Sequence, residues 1–204
     1  MCGIIAYIGN ENSFNKCIDG LKQLQNRGYD SAGICSLIGN NFINNKYASS
    51  ELESALVKLD DCSKNHTDAS ISIGHTRWAT HGAKTDMNSH PHISSDGLFS
   101  LVHNGIIENY AELKEMLINE GYTFSSQTDT EVIVNLLSFM YSKYKNVKQS
   151  IEKTIERLEG TWGLAILCKD EPNKLYATRH GSPIVVSVND NMAIVTSEQS
   201  GFCN

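Results

Sequence analysis

Apolar residues change their spacing several times along the chain, and each change marks an element. Residues 3–9 (Gly-Ile-Ile-Ala-Tyr-Ile-Gly) are an apolar run between glycines, the pattern of a short buried strand. Phe14, Cys17, Ile18, Leu21 and Leu24 then recur at helical spacing, with Ser13 as N-cap and Gly28 beyond the end. Residues 28–33 read as a turn, and 33–38 with 42–47 as a hairpin around Gly39-Asn40-Asn41. A short helix near 50–59 precedes a polar loop over 60–65. Ile71 and Ile73 open a further strand that runs into Gly74-His75-Thr76-Arg77.

From Trp78 to Gly97 no periodicity is visible, and a structureless segment of that length is usually a binding loop or lid. Residues 98–103 form the next strand. Asn109 with Glu112, and Thr128 with Glu131, each read as an N-cap followed by an acid three residues on. The second helix carries Val132, Ile133, Leu136, Leu137 and Met140 on one face, and a third covers 148–158. Residues 161–168, 174–178, 184–188 and 192–196 read as consecutive short strands. Blocks of strands, helices and strands favour an α+β arrangement of two antiparallel sheets with helices outside them over a βαβ repeat.

Composition narrows the function classes. The 17 Lys+Arg against 23 Asp+Glu give a net charge of −6, which argues against a nucleic-acid binder. No run approaches the ~20 apolar residues of a membrane span. The N-terminus has no basic segment before its apolar run, so it is not a secretory signal. The cysteines at 2, 17, 35, 62, 168 and 203 form no C-x-x-C pair, and the expectation is reduced thiols in a cytoplasmic protein. Neither a P-loop nor a G-x-G-x-x-G motif is present.

Cys2 is the sharpest candidate for chemistry. With Met1 removed, its thiol shares a residue with a free α-amine, whose pKa of roughly 8 suits a general base. On position alone, a small buried cysteine opening a strand is the better reading. Asn104-Gly105 is either a turn signal or a side-chain amide beside a glycine N–H, two donors suited to an oxyanion. Arg77, with Thr80 and His81, is either a solvated surface group or a carboxylate fork. Asp129 either complements a helix dipole or, with Thr128 as cap, is free to hold an ammonium group. His81, His90 and His92 match no metal-ligand spacing, so no metal site is expected. Trp78 and Trp162 read as core or hinge aromatics.

Six segments, taken together, resemble the class II (N-terminal-nucleophile) glutamine amidotransferases. They are M-C-G-I-I-A-Y-I-G at 1–9, R-G-Y-D-S-A-G at 27–33, G-H-T-R-W-A-T-H-G at 74–82, N-S-H-P-H at 88–92, H-N-G-I-I-E-N at 103–109 and T-D-T-E-V at 128–132. Each is short, but six in the family's order over nearly the whole chain is specific. Within the class, T-R-W-A-T-H-G followed by S-H-P-H is similar to the glutaminase domain of the glutamine:fructose-6-phosphate aminotransferases, the glucosamine-6-phosphate synthases.

The resemblance implies a four-layer αββα sandwich, the N-terminal-nucleophile hydrolase fold, spanning 2–204. It implies Cys2 as nucleophile, its α-amine as base, and Asn104 and Gly105 as the oxyanion hole. Arg77, Thr80 and His81 would hold the carboxylate of L-glutamine, and Asp129 with the Gly105 carbonyl its ammonium. Arg27 and Gly28 would line the nucleophile pocket, and Trp78 would ride on a loop closing over glutamine. No cofactor or metal is implied. The implied partner is a sugar isomerase domain in the same or another chain; neither nucleic acid nor membrane is expected.

Two departures stand out. Gln127 occupies a position that is usually Glu in the family, and the sequence stops at Gly201-Phe202-Cys203-Asn204, before the family's glutaminase domain normally ends. The lead expectation is an enzyme that hydrolyses glutamine to glutamate and ammonia. The rival is a truncated homologue that binds glutamine or a partner without turnover.

Overall fold

In the computed structural model, which describes residues 2–25, 30–78 and 83–202, the first strand lies inside a sheet. β1 (Gly3–Gly9) pairs antiparallel with β4 (Ile71–Arg77) on one side and with β10 (Met192–Thr196) on the other. β2 (Ser31–Ile38), β3 (Asn41–Ala48) and β9 (Val185–Val188) complete a sheet in the order β3-β2-β4-β1-β10-β9. The second sheet has the order β5-β6-β7-β8, built from His92–Ile93, Phe99–Ile107, Gly160–Cys168 and Tyr176–His180. Its ladders are antiparallel too.

Strand alternation sorts the apolar residues into three buried tiers. Ile5 and Tyr7 of β1 face α1 (Ser13–Gln23) and α2 (Ala55–Asp60), meeting Phe14, Ile18, Leu21 and Leu59. Ile4 and Ala6 point the other way, against Val102, Ala165 and Leu167 of the second sheet. The second sheet's outer face packs Leu101, Leu164 and Ile166 under α3 (Tyr110–Asn119), α4 (Asp129–Tyr144) and α5 (Val147–Ile155). The layers therefore run helix, sheet, sheet, helix, as the resemblance implied.

Several local expectations change. Asn12, not Ser13, caps α1, accepting from the Asn15 N–H at 3.0 Å, because the Ser13 hydroxyl is drawn into the sheet by Ser72 Oγ at 2.6 Å. Asn109 precedes α3 but makes no cap. Its side chain instead accepts from Glu159 N and donates to Arg157 O, tying α3 to the start of β7. Thr128 does cap α4, yet the buried Glu131 carboxylate accepts from the Ser125 and Ser126 N–H groups at 2.8 and 2.6 Å, not from the Thr128 N–H. α4 is buried all round from Thr130 to Met140, because the sheet, α3, α5 and the 94–96 loop enclose it. β2 starts at Ser31, inside the expected turn, and the aperiodic stretch after Trp78 contains β5. Asn104-Gly105 is no turn: both residues lie in mid-ladder, opposite Gly163 and Trp162.

A buried polar chain crosses the first sheet. His66 Nε2 meets Asn45 Oδ1 at 2.9 Å, so that nitrogen carries the proton and Nδ1 accepts from Ser36 Oγ at 2.7 Å. Ser36 then accepts from Ser72, and Ser72 from Ser13. The ring also stacks on Phe14 at 4.3 Å. Burial pushes the His66 pKa down to about 4. On unfolding, the imidazole returns to an ordinary value near 6.5, so the unfolded state binds more protons below that pH. The contribution of neutral His66 is complete above pH ~6.5 and lost as pH falls towards 4. Urea midpoints from pH 7.5 to 4.5 should fall below pH 6.5, and less steeply in His66→Gln; parallel profiles would contradict this reading.

Candidate active site

Cys2 lies just before β1. The ladder pairs Gly3 with Thr76, so the next step of the register sets Cys2 across from Arg77 at the end of β4. The thiol is held by the backbone of one residue: the Trp78 N–H donates to Sγ at 3.4 Å, and Sγ lies 3.8 Å from the Trp78 carbonyl oxygen. Among the described residues no imidazole or carboxylate bonds to Sγ. Burial raises the thiol pKa; the Trp78 hydrogen bond and the Arg77 charge oppose it without cancelling it. At rest the group is therefore a thiol.

Asn104 reaches Cys2 from the other sheet. Its Nδ2 donates to the Cys2 carbonyl at 2.9 Å, and its Oδ1 lies 3.0 Å from His75 Nε2. The second N–H of the same amide has no protein partner among the described residues. Gly105 follows at φ 132°, and a Cβ there would lie 2.1 Å from the Thr161 carbonyl oxygen. Only glycine lets β6 carry this conformation while staying paired to β7.

Cys2, Arg77, Trp78, Gly105 and Asp129 border one cleft of about 700 Å³ including its mouth. Asp129, the first residue of α4, spends Oδ2 on the Ile107 N–H at 2.9 Å. Its Oδ1 stands 3.9 Å from His103 Nδ1. Arg77 is buried, which lowers its pKa against the opposing pull of Cys2, Asp30 and Asp129; a guanidinium remains charged regardless. Half-exposed Ile106, Tyr110 and Trp78 form an apolar rim. Asn104 is not on the cleft wall but behind Cys2. Arg27, Gly28, Thr80 and His81 lie outside the described residues.

The sequence reading missed a tier of imidazoles under this cleft. His75, His90, His92 and His103 are all buried, and burial lowers the pKa of each; that of His75 falls to about 3. His92 Nε2 bonds Thr128 Oγ1 at 3.0 Å, while His103 spans Thr130 Oγ1 at 3.1 Å and the Thr161 carbonyl at 3.2 Å. His90 enters because Gly33 leaves room: a Cβ there would sit 2.0 Å from the His90 carbonyl oxygen. The signal was present, since His75 and His103 directly precede Thr76-Arg77 and Asn104-Gly105. Gln127, on the cleft wall, is pinned by Asn88 through its N–H at 2.9 Å and its Oε1 at 3.3 Å.

A family model described as the glutamine amidotransferase domain matches residues 75–204. The chain belongs to the glutamine amidotransferase domain family. It is 44% identical over 198 residues to a glutamine–fructose-6-phosphate aminotransferase [isomerizing] of Caldanaerobacter subterraneus, covering 97% of this chain and 32% of that protein. It is likewise 44% identical over 209 residues to a probable enzyme of that name from Acanthamoeba polyphaga mimivirus, covering 99% and 34%. The chain thus spans about a third of the length of the curated relatives it matches. Among solved structures, the glutamine phosphoribosylpyrophosphate amidotransferase of B. subtilis superposes with a TM-score of 0.81. That match has 24% identity and covers 98% of this chain and 43% of the other. It shows the shared amidotransferase fold: two antiparallel sheets between helical layers.

Gly105 gives this amidotransferase cleft a sharp test. Gly105→Ala should destabilise the chain by at least about 2 kcal/mol, since it combines positive-φ strain with a backbone clash. Urea denaturation of the two proteins measures it; a loss below about 0.5 kcal/mol would mean that β6 and β7 separate easily here.

Proposed function

We propose that this chain hydrolyses L-glutamine to glutamate and ammonia through a γ-glutamyl thioester on Cys2, as the glutaminase part of glucosamine-6-phosphate synthesis. The observation that carries the reading is the Cys2 thiol, half-buried on the cleft wall and protonated at rest, with no imidazole or carboxylate on its sulfur among the described residues. A base carried by the same residue would serve such a nucleophile. Removal of Met1 supplies one, the Cys2 α-amine.

In this mechanism the amine takes the thiol proton, and Sγ attacks the glutamine δ-carbon. Charge collects on the amide oxygen, towards the unspent Asn104 Nδ2–H and the Gly105 backbone N–H. The ammonium then returns its proton to the leaving nitrogen, and ammonia departs. Water, deprotonated by the same amine, cleaves the thioester to glutamate. Arg77, with Thr80 and His81, grips the substrate carboxylate; Asp129 Oδ1 and the Gly105 carbonyl hold its ammonium. Arg27 and Gly28 line the nucleophile pocket, and Trp78 belongs to the covering loop. The relatives' name supports fructose 6-phosphate as final acceptor, on a sugar isomerase domain that these residues do not contain.

The deciding assay is steady release of glutamate in step with ammonia from purified chain whose N-terminus has been weighed. Protein beginning at Cys2 should turn over, while protein retaining Met1 should be inactive, because an amide nitrogen is no base. Binding without turnover by the processed chain would favour the non-catalytic reading, and equal rates for the two forms would dismiss the α-amine.

A second experiment separates chemistry from grip. Asn104→Ala should lower kcat by about 10²–10³, the usual cost of one oxyanion donor. Asp129→Asn should act chiefly on KM. A KM effect at unchanged kcat for Asn104→Ala would remove that residue from the oxyanion hole.

A further inference from the structure

His75 is buried, sits on β4 of the six-stranded sheet, and reaches across the interlayer to β6. Its Nε2 lies 3.0 Å from Asn104 Oδ1 and 3.1 Å from the His103 carbonyl, two oxygens that can only accept. Its Nδ1 has no partner among the described residues. A proton on Nδ1 would leave a buried N–H unmet and turn a bare Nε2 towards two oxygen lone pairs. The arrangement therefore requires the Nε2–H tautomer. His90 Nδ1, 3.1 Å from the same nitrogen, must then be bare, so the neighbouring imidazole is fixed as well. The Asn104 amide reads the same way from its other end, since Nδ2 meets the Cys2 carbonyl at 2.9 Å. Turning the amide over would place an oxygen against that carbonyl and an N–H against His75, reversing both contacts at once.

We infer that His75 is a positioning residue, whose Nε2–H locks the Asn104 side-chain amide with its donor end towards Cys2. The inference rests on the proposed role of Asn104 as oxyanion donor and deepens it. An asparagine amide is nearly symmetrical in shape, so packing alone does not choose its direction. A hydrogen bond of fixed polarity does. Without it, some molecules would present Oδ1 to the developing oxyanion, and the transition state would meet a negative dipole in place of a donor.

The test uses the processed chain. His75→Phe keeps an aromatic ring but removes the donor. It should lower kcat about 10-fold or more, up to the 10²–10³ lost when the Asn104 donor itself is removed, with KM little changed. His75→Gln, whose amide N–H extends to about the place of Nε2–H, should recover most of that loss. In an Asn104→Ala background, His75→Phe should cost almost nothing further, because the group it orients has gone. Equal losses in Phe and Gln variants, or full additivity with Asn104→Ala, would overturn the inference. An independent measurement needs no turnover: ¹⁵N NMR of the His75 ring, assigned by its disappearance in His75→Gln, should show protonated Nε2 and bare Nδ1. The opposite tautomer overturns the proposal even in an active enzyme. Should the processed chain show no glutaminase turnover, the proposed function fails, and the NMR result alone decides the tautomer.

Discussion

β1 is held on both sides, and the rest of the site depends on that clamp. Ladders to β4 and β10 fix every residue from Gly3 to Gly9, so the residue before Gly3 leaves the sheet at a determined point. Chain termini ordinarily fray. Here the first strand is interior to a six-stranded sheet, and its side chains fill two tiers of core: Ile5 and Tyr7 under the helices, Ile4 and Ala6 between the sheets. Moving Cys2 by one residue would reverse all four, which the core does not tolerate. Cys2, beside Gly3, is thereby held at a determined place relative to both sheets.

The two sheets then divide the work. Cys2 and Arg77 stand on the six-stranded sheet, whereas Asn104 and Gly105 stand on the four-stranded one, with Asp129 on the helix behind it. The interlayer core joins them through small and branched residues, Ala6, Val102 and Ala165 among them. At the cleft end that apolar packing gives way to imidazoles. Polar groups are needed there because strand carbonyls and the Asn104 amide would otherwise face hydrocarbon. Neutral histidine suits the place: each ring supplies one donor and one acceptor without importing a charge. The burial that keeps the rings neutral also leaves Arg77 and Asp129 as the charged groups on the described cleft wall.

The periodic parts of this fold were legible in the sequence. An apolar run between glycines marked β1, the Gly39-Asn40-Asn41 turn marked the β2–β3 hairpin, and helical spacing marked α1 and α4. What escaped was decided by groups distant in the chain. Ser13 left its cap for Ser72, and Asn109 left its own for the turn before β7. Asn104-Gly105 reads locally as a turn, yet the β7 ladder runs straight through it. Candidate positions at the cleft were visible through the ordered motifs, not through spacing alone. The buried histidines stayed hidden since nothing local distinguishes a ring pinned between sheets from one in a loop; only the partner strand makes the difference.

Burial has a final consequence at the thiol. A cysteine pushed above its ordinary pKa holds little thiolate at neutral pH, so it is a slow target for oxidants and stray electrophiles. Once its proton is taken, the same high pKa makes the sulfur a more forceful nucleophile, because intrinsic nucleophilicity rises with basicity. A histidine hydrogen-bonded to the sulfur would hold a standing thiolate–imidazolium pair and give up that protection. His75 makes no such bond: its Nε2 meets Asn104, one step removed from the sulfur. Among the described residues, the buried imidazoles make hydrogen bonds between the layers, and none of them reaches the sulfur.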